Sequence, residues 1–135
     1  MMNRFRQIAN EITAILEDEF PDMTWKSAVL GPVYPKTLTG YVCCDTITFD
    51  PFTKSKKQAS ATFTIEIICP NPKEKADDTQ YIEDLAMEIN DVLTENKTID
   101  GWADDSNVEK IVFATPAGRP EIGIAIFTFT VEYEE

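Results

Sequence analysis

Ala61-Thr62-Phe63-Thr64-Ile65-Glu66-Ile67 alternates apolar and polar side chains. A period of two is the mark of a strand with one face in a core. Carried out to its turn signals, it predicts an arm from Gln58 to Cys69, paired as a hairpin with an arm from Thr39 to Asp50. With the turn centred on Lys54 in the loop 51–57, Phe49 faces Ala59, Ile47 faces Ala61, Cys43 faces Ile65 and Tyr41 faces Ile67. Cys44, Thr46 and Thr48 then face Thr64, Thr62 and Ser60. This register sorts an apolar from a polar face, as a half-buried antiparallel pair requires. Asp45 is the exception, landing opposite Phe63, and a local bulge that turns it outward is expected there. Each arm is about twelve residues, roughly 40 Å at the strand rise. A helix of about nineteen residues spans only roughly 28 Å. The hairpin is therefore expected to project beyond the layer that covers it.

Before the hairpin, Phe5, Ile8, Ile12, Ile15 and Leu16 stand at helical spacing and predict a helix from Asn3 to Glu19, stopped by Pro21. Thr24 to Val29 reads as a short strand, and Gly31, Pro32 and Pro35 mark an irregular connection. After Pro70, Asn71 and Pro72, a second helix from Asp78 to Asn96 is expected. Its stripe is Ile82, Leu85, Ala86, Ile89, Val92 and Leu93, and Asp77 and Gln80 have capping-box spacing. A turn at Asp100-Gly101 leads to strands from Val108 to Ala114 and from Glu121 to Tyr133. The start of the last strand, Ile122-Gly123-Ile124-Ala125-Ile126-Phe127, is apolar on both faces and so should be central and covered twice. The order is α-β-β-β-α-β-β. Two amphipathic helices must bury their stripes on a mainly antiparallel sheet, which predicts a two-layer α+β domain spanning residues 1–135.

The 135 residues include 43% apolar and 27% charged, ordinary for a globular chain, but 24 acids stand against 12 bases, a formal charge of −12. Such a surface is repelled by nucleic acid and anionic lipid. No apolar run reaches the roughly 20 residues of a membrane helix, and the acid-bearing amphipathic start is not expected to be a signal peptide. The chain has no histidine, so Ser/His/Asp and Cys/His nucleophilic catalysis are excluded, and the commonest zinc ligand is missing. There is no phosphate-binding glycine loop and no calcium-loop pattern. No cofactor, metal or enzymatic activity is expected. Trp25 and Trp102 read as packing anchors.

Two charged features stand out. The hairpin tip, Thr53-Lys54-Ser55-Lys56-Lys57-Gln58, holds three lysines and no acid, while the stretch from Glu74 to Asp105 holds eleven acids against Lys75 and Lys97. Lysines at a strand end often serve only solubility, and acid runs are commonly solvated helix faces. The functional alternative is that Lys54, Lys56 and Lys57 of one copy dock on Glu83, Asp84, Glu88 and Asp91 of another.

The pattern resembles the tail terminator proteins of long-tailed bacteriophages and phage-tail-like particles, with related minor tail and tail-completion proteins. The resemblance covers about Asn3 to Tyr133. It lies in size, acidity, element order, the opening Ile8-Ala9-Asn10-Glu11-Ile12, the long hairpin, and the closing Gly123-Ile124-Ala125-Ile126-Phe127-Thr128-Phe129-Thr130-Val131-Glu132-Tyr133. It implies a structural virion protein, assembled in the bacterial host cytoplasm. Such a protein forms a homo-oligomeric ring, commonly a hexamer, which caps the tail tube and joins it to the head or connector. The lysine tip would then lie on a contact arm, and no catalytic residue carries over. The alternatives are another head–tail connector or adaptor of this shape, or a small ligand-binding module.

Cys43 and Cys44 are adjacent and point to opposite faces. Cys69 falls about four strand positions from Cys43, roughly 13 Å away, beyond the Cα separation of about 7 Å that a disulfide allows. Thiol titration of the denatured, unreduced chain is expected to find three thiols; a count of one would reveal a bridge.

Overall fold

The computed structural model describes residues 3–28, 31, 33–50, 58–70, 78–119 and 122–134. Helix α1, Arg4–Glu19, buries Ile8, Ile12 and Leu16 of the expected stripe together with Ala9, while Phe5 and Ile15 are partly buried against the same core. Its end is closed by the Phe20 N–H donating to the Leu16 carbonyl at 2.8 Å. Strand β1 is only Thr24–Lys26, and Val29, expected to belong to it, lies outside the described residues. It runs parallel to the next strand, β2, Thr39–Phe49. A parallel neighbour cannot be reached by a tight turn, which is what residues 27–38 with their glycine and prolines supply.

β2 pairs antiparallel with β3, Gln58–Pro70. From Phe49↔Ala59 to Thr46↔Thr62 the register is the expected one, and a bulge falls between Cys44 and Thr46, leaving Asp45 exposed. Beyond it the expected register is corrected. The bulge consumes one residue, so Cys44 pairs with Phe63, Cys43 with Thr64, Val42 with Ile65 and Tyr41 with Glu66. A one-residue slip exchanges the faces. Val42, in place of Cys43, enters the core, and Tyr41 passes to the other side of the sheet.

Helix α2 is Asp78–Glu95; the capping partner Asp77, like Asn71 and Pro72, lies outside the described residues. Strands β4, Asp105–Ala114, and β5, Ile122–Glu134, complete one five-stranded sheet in the order β1-β2-β3-β5-β4. Glu121 lies outside the described residues. β3 and β5 pair over their whole length, from Gln58↔Glu134 to Pro70↔Ile122. The β2–β3 arms therefore do not stand clear of the sheet over the described residues. β5 is as long as β3, and Tyr133 and Val131 lie opposite the small Ala59 and Ala61, all four buried. Comparing strand length with helix length left out that β5, itself expected to be long, lies beside β3.

Both helices pack on one face. There Ala59, Ala61, Phe63, Ile65 and Ile67 of β3 meet Ala125, Phe127, Phe129, Val131 and Tyr133 of β5 in one core. The doubly apolar start of β5 is buried as expected: Ile122 and Ile124 form a second cluster with Tyr41 and Ile68 on the opposite face, with Tyr34 from the β1–β2 connection packed against it.

Among the described residues, the non-glycine positive φ angles fall in the α2–β4 turn. Ile99, Asp100 and Gly101 all have positive φ, at 50°, 54° and 86°. A left-handed backbone costs a non-glycine residue roughly 1–2 kcal/mol. Ile99 is 1% exposed, and burying such a side chain gains about 1.5–3 kcal/mol, so packing holds the turn.

Trp25 of β1 lies directly across from Gly40. A Cβ at position 40 would run into Cζ3, Cε3 and Cη2 of the buried indole. Gly40→Ala is therefore expected to cost about 1–3 kcal/mol, the usual penalty of overpacking, read as a lower urea midpoint at unchanged slope. An unchanged midpoint would contradict this contact.

Candidate interaction surfaces

The two charged features proposed from sequence fare differently. Lys54, Lys56 and Lys57 lie outside the described residues. Glu83, Asp84, Glu88 and Asp91 are all exposed on α2, away from its buried stripe of Ile82, Leu85, Ala86, Ile89 and Leu93. They make one acidic flank on the side of the sheet where α2 packs, over β4 and β5. Among the described residues no group of three or more cysteines and acids is placed to hold a metal ion. No helix there is long and apolar enough to cross a membrane.

Sequence reasoning overlooked the sheet edges. β1 pairs only with Thr39, Gly40 and Tyr41, so from Val42 onward β2 has no strand on its outer side among the described residues. Beside that stretch, α1 and β2 enclose an open groove of about 510 Å³. Phe5, Ala9, Ala28, Val42 and Cys44 line it, with Arg6 at its edge. At the opposite end of the sheet, β4 pairs with β5 alone. Its regular ladder is interrupted by a bulge at Glu109, and Thr130 donates its hydroxyl to Glu109 Oε1 at 2.9 Å. Past the bulge, Val112 is 44% and Phe113 45% exposed. The signal for this patch was present in Val108 to Ala114, where apolar residues run past the end of the alternation.

Three titratable groups are shifted, each first by burial. Burial pushes the Cys44 thiol up, helped by Cys43 and Asp45 and opposed by a backbone hydrogen bond at Thr46. A raised thiol is a poorer nucleophile at neutral pH, because the thiolate is the reactive form. Tyr81 is likewise raised, by burial first and then by Cys69 and Glu88. Glu66 stands on the face opposite the helices, between Tyr41 on β2 and Ile126 on β5, and burial raises its carboxyl. Thr62, Thr64, Thr128 and Thr130 continue that face, half-buried, toward the hairpin end. Trp25 is a core residue whose Nε1 donates to the Phe20 carbonyl at 3.3 Å. Trp102 lies under the Arg4 guanidinium, 5.2 Å from the ring centre. No disulfide joins the cysteines.

No family model matches the chain, and no curated protein matches it. Among solved structures, one chain known only by a sequence identifier is similar with a TM-score of 0.53 and 13% identity, over 96% of this chain and 93% of that one. A chain from the virion of a native gene transfer agent particle has a TM-score of 0.46 and 14% identity, over 96% of this chain and 91% of that one. At such identities the likeness is one of fold.

Because the folded state raises the Glu66 carboxyl, it favours the protonated form. The stability this brings is full below the unfolded value of about 4.3 and is lost as pH rises through the higher folded value. Glu66→Gln removes that loss. Thermal melting is expected to show the variant more stable than the parent at pH 7, with the gap closing below about pH 4. A gap that persists in acid would assign the effect to packing.

Proposed function

We propose that this chain is a structural subunit of a phage-type virion. It assembles into a ring, hexameric as the resemblance implies, caps the completed tail tube and joins it to the head or connector. The observation that carries this reading is the architecture. Helix, three strands, helix and two strands form one sheet with both helices on one face, and that order spans the stretch on which the resemblance to tail terminators rests.

Charge supports the reading. With 24 acids against 12 bases, walls built from this chain repel DNA, which can pass a lumen without the phosphate contacts that release counterions and hold it. The partners are further copies of the chain, the tail tube and the connector. Assembly takes place in the host cytoplasm, and no cofactor takes part.

In this reading Lys54, Lys56 and Lys57 engage the acidic flank Glu83, Asp84, Glu88 and Asp91 of a neighbour. Exposed ion pairs contribute only about 0.2–1 kcal/mol each, but a ring repeats the contact in every copy. Reversing the three lysines to Glu is expected to impair ring formation or tube capping, with circular dichroism and melting unchanged. Light scattering on size exclusion and electron microscopy of capped tubes read the outcome. In the parent, salt should weaken the same contact, as the screening length falls from about 10 Å at 0.1 M to about 3 Å at 1 M. Normal assembly of the triple variant at low salt would leave the lysines a solubilising role only. A chain that stays monomeric at every concentration and never joins tubes would overturn the ring, and attachment only on the head side would favour a connector or adaptor.

A further inference from the structure

We propose that residues 111–113 of β4 in one copy add as an antiparallel strand to residues 42–44 of β2 in the next, with Phe113 seated in the groove between α1 and β2. The proposal rests on the reading of the chain as a self-assembling subunit and names the contact that would build the ring.

Each edge of the sheet carries a bulge, and on one side of it lies a regular segment with no strand beside it among the described residues. On β2 it starts where β1 stops, after Tyr41, and ends at the Asp45 bulge. On β4 it starts after the Glu109 bulge and runs to Ala114. Bulges and charges at a sheet edge discourage pairing; here each bulge bounds the segment on one side, and residues 46–49 and 105–108 beyond the bulges are regular as well. An exposed edge that is apolar on both faces attracts another strand. Val112 and Phe113 make the end of β4 such an edge, since Phe113 shares the helix-side face with its partner Ala125, while Val112 lies opposite Ile126 on the other face.

Direction and register follow from the ladders. β2, β3, β5 and β4 alternate in direction, so β2 and β4 are antiparallel, and copies in the same orientation meet as an antiparallel pair. Val42, Ile65, Phe127 and Ile111 form one row across the sheet. Level apposition would drive Val112, Phe113 and Ala114 into the place that β1 occupies beside Tyr41, Gly40 and Thr39. A slip of two residues clears β1 as far as Phe113, leaving only Ala114 level with Tyr41, the last residue that β1 covers, and, being even, it keeps every side chain on its face. It sets Phe113 opposite Val42, Ile111 opposite Cys44, and Lys110 beside Asp45, an opposite-charge pair of exposed residues. Phe113 then points to the helix side, where Phe5, Ala9 and Ala28 line a space of about 510 Å³, ample for one aromatic ring. Such a contact joins different surfaces of the two copies, so it repeats head to tail and closes into a ring when the rotation permits.

The experiment uses the native Cys44. Within one chain, positions 44 and 111 lie on strands three spacings apart, roughly 14 Å, too far for a disulfide. In the proposed contact they are directly opposed, about 4.5–5.5 Å between Cα atoms. Mild oxidation of Ile111→Cys, alone and with tail tubes, is expected to give a ladder of covalent oligomers. Peptide mapping should find a bridge between positions 44 and 111, and the ladder should vanish when Cys44→Ser is added. Independently, Phe113→Asp is expected to weaken self-association at least about 30-fold, the loss typical of an interface anchor, with its melting temperature unchanged. Oligomers that form normally in Phe113→Asp, with no bridge between 44 and 111, would overturn this contact and leave the ring reading standing. A parent chain that never self-associates, even on tubes, would overturn both.

Discussion

The antiparallel ladder between β3 and β5 is the constraint on which the rest depends. Thirteen residues of each strand are paired without a break, and their helix-side residues form the middle of the core. Both helices lie on this surface because their apolar stripes have no other place to go. The outer strands are subordinate to it. β2 follows β3 through the hairpin and β4 follows β5, and each carries a bulge where its own side-chain pattern stops matching the central pair. Replacing Phe63 or Phe129 in this ladder by Ala would remove about 3–5 kcal/mol, a large fraction of the net stability of a domain.

Much of this fold was legible in the residues. Period two in Ala61 to Ile67 and the stripes of α1 and α2 gave the elements, because burial on one face is a local property of each segment. The Asp45 bulge was also legible, since a carboxylate on an apolar face must turn away. What it did to the register beyond was not. Val42 and Cys43 are both acceptable in a core, so nothing in the pattern registered the one-residue slip that exchanged them. The length of β1 was overread for a similar reason: Ala28 and Val29 suit a strand, but the chain leaves β2 after Lys26.

The candidate surfaces divide along the same line. The exposed acids of α2 follow from helical periodicity and were visible at once. The groove beside α1 and the apolar end of β4 were not, because each arises from where one strand ends relative to another. Phe113 looks like any strand residue in sequence. It becomes a surface feature only in the fold, where it stands on the edge strand with its side chain 45% exposed.

The central ladder also bears on how the chain reaches its native state. Its partners lie far apart along the backbone, from 52 positions between Pro70 and Ile122 to 76 between Gln58 and Glu134. Loop closure must precede any reward from such pairs, and folds dominated by distant pairings are slow, taking milliseconds to seconds. Throughout that search the β2–β3 hairpin, which needs only a local turn, has its second edge bare. A crowded population of such half-made chains is an aggregation hazard. The surplus of acids, spread over the whole polypeptide, keeps these intermediates apart by mutual repulsion. The charge of the folded surface thereby also protects the chain while it is still searching for its last strand.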